Sequence, residues 1–146
     1  MPPMTAGVTL ASEAEGATVW RILGQTYTLK QLSQHSMAWH ALLPPGTFVP
    51  PHVHPTQDEF VYVLTGRYDL WLDGKDFRAG PGDLVRLPQG IPHGIFNKSD
   101  ADATSLFWVA PTRALAQLFA RIHLVPDPAE VVRISAEHEV NFLPPA

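Results

Sequence analysis

The 146-residue sequence contains no cysteine, which excludes disulfide bonds, thiolate metal sites and thiol catalysis. Charged residues make up only 16% of the chain, against a typical share of about 25%, and Lys and Arg form no cluster. The net charge is −4. The chain therefore lacks the cluster of basic residues that would attract a nucleic acid or an anionic membrane, and we expect neither as a partner.

Long apolar runs are also missing. Residues 31–57 contain no Asp, Glu, Lys or Arg, but this stretch carries five prolines and several histidines and includes no 18-residue apolar segment. The first residues show neither the basic region nor the apolar region of a secretory signal. We therefore expect a cytoplasmic protein without a membrane span.

Proline is abundant, with 15 of 146 residues, yet a hydrophobic share of 45% is too high for a disordered chain. Between about Thr18 and Ala110, turn signals separate short segments of strand character, a pattern typical of an all-β sandwich or barrel. Asp73-Gly74 predicts a tight hairpin, because both residues tolerate the positive φ that a type I′ turn requires. The predicted strands are Thr18–Leu23, Tyr27–Leu32, Met37–Leu43, Phe60–Leu64, Arg67–Leu72, Lys75–Arg78, Asp83–Leu87, Gly94–Asn97 and Ser105–Val109.

After Pro111 the spacing of apolar residues changes to that of an amphipathic helix. The apolar stripe consists of Leu115, Leu118, Phe119 and Ile122. Thr112 is a candidate N-cap for this helix, and Asp127 followed by Pro128 is the predicted start of a second one. We interpret residues 1–146 as one domain, with a barrel at about 17–110 and a helical tail at about 111–146.

Four residues form a candidate metal site. His52 and His54 lie two positions apart, so in an extended backbone both imidazoles point to the same face. Glu59 follows at the start of an apolar strand, and His93 comes after a turn rich in proline and glycine. Three imidazoles and one carboxylate can hold a first-row divalent metal while leaving coordination positions open.

The spacing around these residues resembles the two sequence motifs of the cupin superfamily. The first string is Gly46-x5-His52-x-His54-x4-Glu59-x6-Gly66, and the second is Gly82-x5-Pro88-x-Gly90-x2-His93-x3-Asn97. All ten specified positions match, and fifteen residues separate the two strings. This compact arrangement is common in small bacterial cupins.

The resemblance implies an all-β fold, a double-stranded β-helix or jelly-roll barrel, with one or two C-terminal α-helices. It also implies a metal held by His52, His54, Glu59 and His93. That metal would be one divalent ion, Mn, Fe, Ni, Co, Cu or Zn, among which the ligand set does not choose. The tail is similar to that of small cupins related to quercetinase, where it packs near the barrel mouth. Small cupins commonly pair through edge strands, so we expect a homodimer, with residues 18–32 as its contact.

Alternation along the strands predicts what surrounds the metal. If Glu59 faces inward, so do Val61 and Val63, and Ile91 and Ile95 share the face of His93. Two registers stay open for Met37–Leu43: either Met37, Trp39 and Ala41 or Ala38, His40 and Leu42 face the interior. The candidate pocket aromatics are Phe48, Trp39, Phe96 and Trp108.

Three functions fit these features. The leading hypothesis is a quercetinase-like, metal-dependent dioxygenase acting on an aromatic or enolisable small molecule, with Glu59 as metal ligand and candidate general base. The second is a non-redox isomerase, decarboxylase or lyase that uses the same ligands. The third is a protein that binds a small ligand without turnover, since a fold and its ligands do not guarantee chemistry.

Overall fold

The protein is described by a computed structural model covering residues 1–144, so Pro145 and Ala146 of the predicted tail lie outside the described part. Two antiparallel sheets form the body, and two α-helices follow them in the chain. The strands are β1 Val19–Ile22, β2 Gln25–Leu32, β3 Met37–Leu43, β4 Phe48–Val53, β5 Asp58–Thr65, β6 Tyr68–Leu72, β7 Lys75–Ala79, β8 Leu84–Leu87, β9 His93–Phe96, β10 Ala103–Ala110 and β11 Asn141–Phe142. The helices are α1 Leu115–Ile122 and α2 Pro128–Ala136, and a 3₁₀ turn spans Glu15–Ala17.

The eleven strands of the described residues form two sheets, each with its own strand order. One sheet runs β1-β2-β3-β10-β5-β8, and the other runs β11-β4-β9-β6-β7. This mostly β architecture, with two C-terminal helices, confirms the expected double-stranded β-helix. No helix within residues 1–144 is long and apolar enough to cross a membrane.

Burial alternates along the inner strands and settles the open register of β3. Met37, Trp39 and Ala41 are at most 2% exposed, whereas His40 is only half-buried on the opposite face. Val61 and Val63 are fully buried in β5, as predicted from the position of Glu59. The core therefore lies between the two sheets and continues into the tail.

The Asp73-Gly74 hairpin is confirmed. Leu72 pairs with Lys75 across the turn, and φ is 49° at Asp73 and 84° at Gly74, both in the left-handed region.

One strand that carries a metal candidate escaped prediction. β4 contains Pro50 and Pro51, which donate no backbone hydrogen bond and normally weaken a strand. The strand forms nevertheless, and its pairing with β9 shifts register between Val49 and His52, around the prolines. Beyond that irregularity His52 pairs directly with His93.

The helical tail largely follows its predicted pattern. The stripe of α1 is buried, and the Asp127 side chain accepts a hydrogen bond from the backbone N–H of Ala129 to cap α2. The prediction of Thr112 as the N-cap of α1 was wrong: Ala114 occupies that position without a side-chain cap. The Thr112 hydroxyl instead donates to the carbonyl of Ser33, so it joins the tail to the barrel.

Candidate metal centre

The two sheets bring the four predicted residues to one point. His52 lies near the end of β4 and His93 starts β9, both in one sheet, while Glu59 belongs to β5 in the other and His54 follows β4. Each offers one ligand atom, and these four atoms lie within 4.8 Å of one another. All four residues are at most 5% exposed. The structure thus unites residues up to 41 positions apart, from His52 to His93, in one buried group.

Hydrogen bonds fix how each imidazole is oriented. Nδ1–H of His52 donates to the carbonyl of Pro50 at 2.8 Å, and Nδ1–H of His93 donates to the carbonyl of Ile91 at 3.2 Å. Nδ1–H of His54 donates to the side-chain oxygen of Gln57 at 2.8 Å. Because each Nδ1 faces an oxygen acceptor, each Nε2 carries a bare lone pair.

These lone pairs crowd together in a way that a cation would relieve. Nε2 of His52 lies 3.1 Å from Nε2 of His54. Nε2 of His93 lies 3.3 Å from a Glu59 carboxylate oxygen and, buried, has no hydrogen-bond partner among the described residues. Four acceptors around one point, with no hydrogen between them, match the donor set of a first-row divalent metal. The cluster therefore fits a metal site.

The electrostatics of the group shift the pKa values of two of its members, His52 and Glu59. Burial, together with the neighbouring His93 and His54, lowers the pKa of His52 to about 3. Burial alone would raise the pKa of the Glu59 carboxyl, but His54, His93 and His52 outweigh it and lower that pKa to about 2. At neutral pH the His52 imidazole is neutral and the carboxylate is ionised, and a metal ligand must be deprotonated in this way.

A cavity of about 80 Å³ adjoins the cluster. His52, His54 and Glu59 form its polar end, and the rest of its wall is mainly apolar. Ile95 contributes to the wall as predicted, whereas Ile91 is only half-buried and does not line the cavity.

The tail supplies much of this wall. Its lining residues are Leu115, Leu118, Phe119, Ile122, Val131, Ser135, Val140 and Phe142. β11 pairs Phe142 with His52, and the two rings lie 5.2 Å apart. The tail thus covers the cavity beside the candidate metal site, as expected from its similarity to the tail of small cupins related to quercetinase.

Two of the four predicted pocket aromatics line the cavity and two do not. Trp39 and Phe48 line the cavity. Phe96 and Trp108 do not, because the alternating neighbours Ile95 and Phe107 take the inward positions. Phe96 stacks on Phe48, with Lys98 above its ring, and Trp108 stacks on Phe60.

Sequence reasoning missed three contributors to the site. Tyr27 and Phe119 line the cavity, with ring centroids 5.2 Å apart, and Gln57 holds His54. Tyr27 lies on the buried face of β2, and Phe119 belongs to the apolar stripe of α1. The sequence pattern could therefore predict that both side chains are buried, but not that they lie beside the candidate metal ligands. Gln57 had a positional signal, since it lies between two of the predicted ligands.

Comparison with known proteins agrees with this geometry. A family model described as the cupin domain matches residues 39–110, a range that contains all four clustered residues. Polyketide synthase CurC of Streptomyces cyaneus is 34% identical over 71 residues, which are 49% of this chain and 46% of that protein. Quercetin 2,3-dioxygenase of Bacillus subtilis is 30% identical over 96 residues, covering 66% of this chain and 28% of that protein.

Among solved structures, KdgF from Halomonas sp. superimposes with a TM-score of 0.67 over 77% of this chain and 99% of that one. Its sequence identity is 23%, so this likeness concerns the fold. The chain spans about half the length of CurC and under a third of the dioxygenase.

Proposed function

Because this chain belongs to the cupin superfamily, we propose that its buried His52, His54, Glu59 and His93 bind one divalent metal that serves an enzyme reaction on a small molecule. The observation that carries this proposal is the convergence of three bare imidazole nitrogens and a carboxylate at the end of an apolar cavity. Surface histidines have no comparable reason to share one buried point.

The cavity favours a particular substrate class. Three of its lining residues belong to the cluster, and most of the remaining wall consists of aliphatic and aromatic side chains such as Trp39, Phe107 and Phe119. A flat, largely apolar molecule with one ionisable oxygen would place that oxygen at the cluster and its rings against this wall. Aromatic and enolisable compounds have this shape.

The protein groups would bind the substrate and move one proton. A metal at the cluster supplies Lewis acidity toward the substrate oxygen and, if redox-active, access to O₂ chemistry. Glu59 is ionised at neutral pH and lies at the cluster, so it is the candidate acceptor for the substrate proton. Its pKa of about 2 makes the carboxylate a weak base, so an enol or phenol oxygen would have to be acidified by a metal at the cluster before Glu59 could take its proton.

Within this scheme the leading reaction is a dioxygenation of the quercetinase type. It is supported by the ligand set, by the apolar cavity and by the similarity to the quercetin dioxygenase of Bacillus subtilis. The second candidate is a non-redox isomerase, decarboxylase or lyase. The observation in its favour is the donor set itself, since three imidazoles and a carboxylate hold zinc as readily as a redox metal.

Oxygen consumption separates these reactions. The chelator-treated protein is reloaded with Mn, Fe, Co, Ni, Cu or Zn and mixed with a flavonol or a simple enediol. We expect O₂ uptake with at least one redox metal and none with zinc, abolished by His93→Ala and unchanged by His35→Ala, whose imidazole is exposed outside the cluster. Turnover without oxygen would favour the non-redox candidate. Ligand binding without turnover under any metal would leave a binding protein.

The homodimer is likewise a proposal. β1 is the edge strand of its sheet, but its Arg21 N–H donates to Nδ1 of His123 and its Arg21 carbonyl accepts from the N–H of Leu124. A partner strand at this edge would therefore have to form its hydrogen bonds near Val19, because the tail already occupies the backbone N–H and carbonyl of Arg21. Light scattering tests the state, and a monomer would remove this proposal.

A further inference from the structure

Of the three imidazoles in the cluster, only His54 is oriented by a side chain. His52 and His93 donate their Nδ1–H groups to the backbone carbonyls of Pro50 and Ile91, each two residues earlier, which no substitution can remove. Nδ1–H of His54 donates instead to Oε1 of Gln57 at 2.8 Å. Gln57 is 3% exposed, so water does not compete for this bond.

The amide of Gln57 can take only one orientation. Its Nε2 group donates to two carbonyls, those of Thr112 at 2.7 Å and Pro111 at 3.1 Å. Rotating the amide by half a turn would place its oxygen against two carbonyl oxygens and its NH₂ group against His54. The two carbonyls at the root of the tail therefore hold Oε1 of Gln57 as an acceptor.

A fixed acceptor at Nδ1 decides where the hydrogen of His54 resides. With Oε1 of Gln57 at 2.8 Å, the neutral imidazole carries its hydrogen on Nδ1 and leaves Nε2 bare. Without that acceptor, a buried Nδ1–H would lack a partner, which is unfavourable. A hydrogen on Nε2 would then be favoured, because Nε2 of His52 lies 3.1 Å away and a Glu59 oxygen lies 3.9 Å away.

We propose that Gln57 is a positioning residue of the metal centre. Its amide, which the carbonyls of Pro111 and Thr112 hold in one orientation, sets the tautomer of His54. This inference rests on the proposed metal site for its functional consequence, but the tautomer is a property of the metal-free protein. Partners of this kind are worth about 10- to 100-fold in metal affinity.

The test compares Gln57→Leu with Gln57→Glu. Leucine removes both the acceptor and the two donors. Glutamate keeps the acceptor for His54 but lacks the NH₂ group that joins residue 57 to the tail. Imidazole tautomers are read by two-dimensional ¹H–¹⁵N NMR on the metal-free, ¹⁵N-labelled protein, and Zn²⁺ affinity is measured by competition with a chelator. Gln31→Leu, which removes a half-buried amide bonded to Ser36, is the matched control.

We expect the wild type, the control and Gln57→Glu to hold the hydrogen of His54 on Nδ1. In Gln57→Leu it should move to Nε2, with Zn²⁺ affinity lower by about 10- to 100-fold. If the leucine variant does not fold, the glutamate variant decides. Either oxygen of the glutamate carboxylate can accept from His54 without the amide donors, so loss of the Nδ1–H tautomer there would overturn the inference, as would an unchanged tautomer in Gln57→Leu. Failure of the wild type to bind any metal would instead refute the proposed function.

Discussion

Phe119 provides a sharp test of whether the tail is part of the core. Its side chain is 8% exposed, and its ring centroid lies 5.3 Å from Trp20, 5.2 Å from Tyr27 and 5.2 Å from Trp39. Phe119 is thus the residue through which α1 contacts three aromatic side chains of the barrel. Replacing it with alanine removes these contacts and leaves a void beside the existing cavity.

The expected loss follows from burial. Truncating a buried phenylalanine to alanine costs about 3–5 kcal/mol, and three aromatic neighbours place Phe119→Ala in the upper part of that range. For a chain of this size, each kcal/mol lowers the melting temperature by about 2–4 °C, so we expect a decrease of about 10 °C or more. Phe119→Leu keeps much of the volume and should cost about half as much or less.

Urea denaturation of the metal-free protein, followed by far-ultraviolet circular dichroism, measures the free energy of unfolding. The matched control is Val132→Ala in α2, a side chain that is 40% exposed and should change stability by no more than about 0.5 kcal/mol. A loss below about 1 kcal/mol for Phe119→Ala would refute the reasoning, because a buried aromatic in a formed core cannot be removed so cheaply.

Three further outcomes follow from other parts of the molecule. Gly66 has φ +77°, and a Cβ there would lie 2.6 Å from the carbonyl oxygen of Asp102, so Gly66→Ala should cost about 2 kcal/mol or more in thermal denaturation, whereas Gly80→Ala meets no atom within 4 Å and should be near neutral. In the metal-free protein the pKa of His52 falls from 6.5 to about 3 on folding and that of Glu59 from 4.5 to about 2, so the unfolded chain binds more protons in acid. Stability should therefore be complete above pH 6.5 and fall by about 4 kcal/mol by pH 4, and a flat profile in urea titrations would contradict these pKa shifts. Finally, Val53 of β4 and Asn141 of β11 pair across the two strands. A disulfide between cysteines introduced at these two positions would hold the tail over the cavity, whose volume is about 80 Å³. A ring-sized ligand needs roughly 150 Å³, so the oxidised double variant should lose substrate binding and regain it on reduction, and equal binding in both states would show that the tail need not move.

The four clustered residues were predictable because their spacing in the sequence is specific. Two histidines at alternate positions, a carboxylate at a strand start and a histidine after a turn are local signals, and the fold brings them together across both sheets. The strand boundaries followed from turn residues for the same reason. Asp73-Gly74 needs no distant contact to form its turn, and β3 was predicted with the bounds observed.

The errors fall where distant contacts or competing signals decide. β4 was missed because Pro50 and Pro51 argue against a strand, yet pairing with β9 and β11 forms one. Thr112 has the chemistry of an N-cap, but its hydroxyl bonds to Ser33, 79 positions earlier in the chain. The position of Phe96, by contrast, was readable, since the alternation that places His93 and Ile95 inside directs Phe96 outward.

The orientation of His54 is an example of what the sequence does not contain. Gln57 is only three positions from His54, but its amide is fixed by carbonyls at residues 111 and 112. That contact depends on how the tail leaves the barrel, which no local pattern specifies.

Metal content tests the central claim most directly. The wild-type protein and the His52→Ala/His93→Ala double variant are purified without chelator, dialysed against a mixture of divalent metals and measured by plasma mass spectrometry. We expect about one equivalent of a first-row divalent metal per wild-type chain and less than about a tenth of that in the double variant. An empty wild-type protein, or a double variant with full metal content, would contradict the assignment of His52, His54, Glu59 and His93 as the metal site.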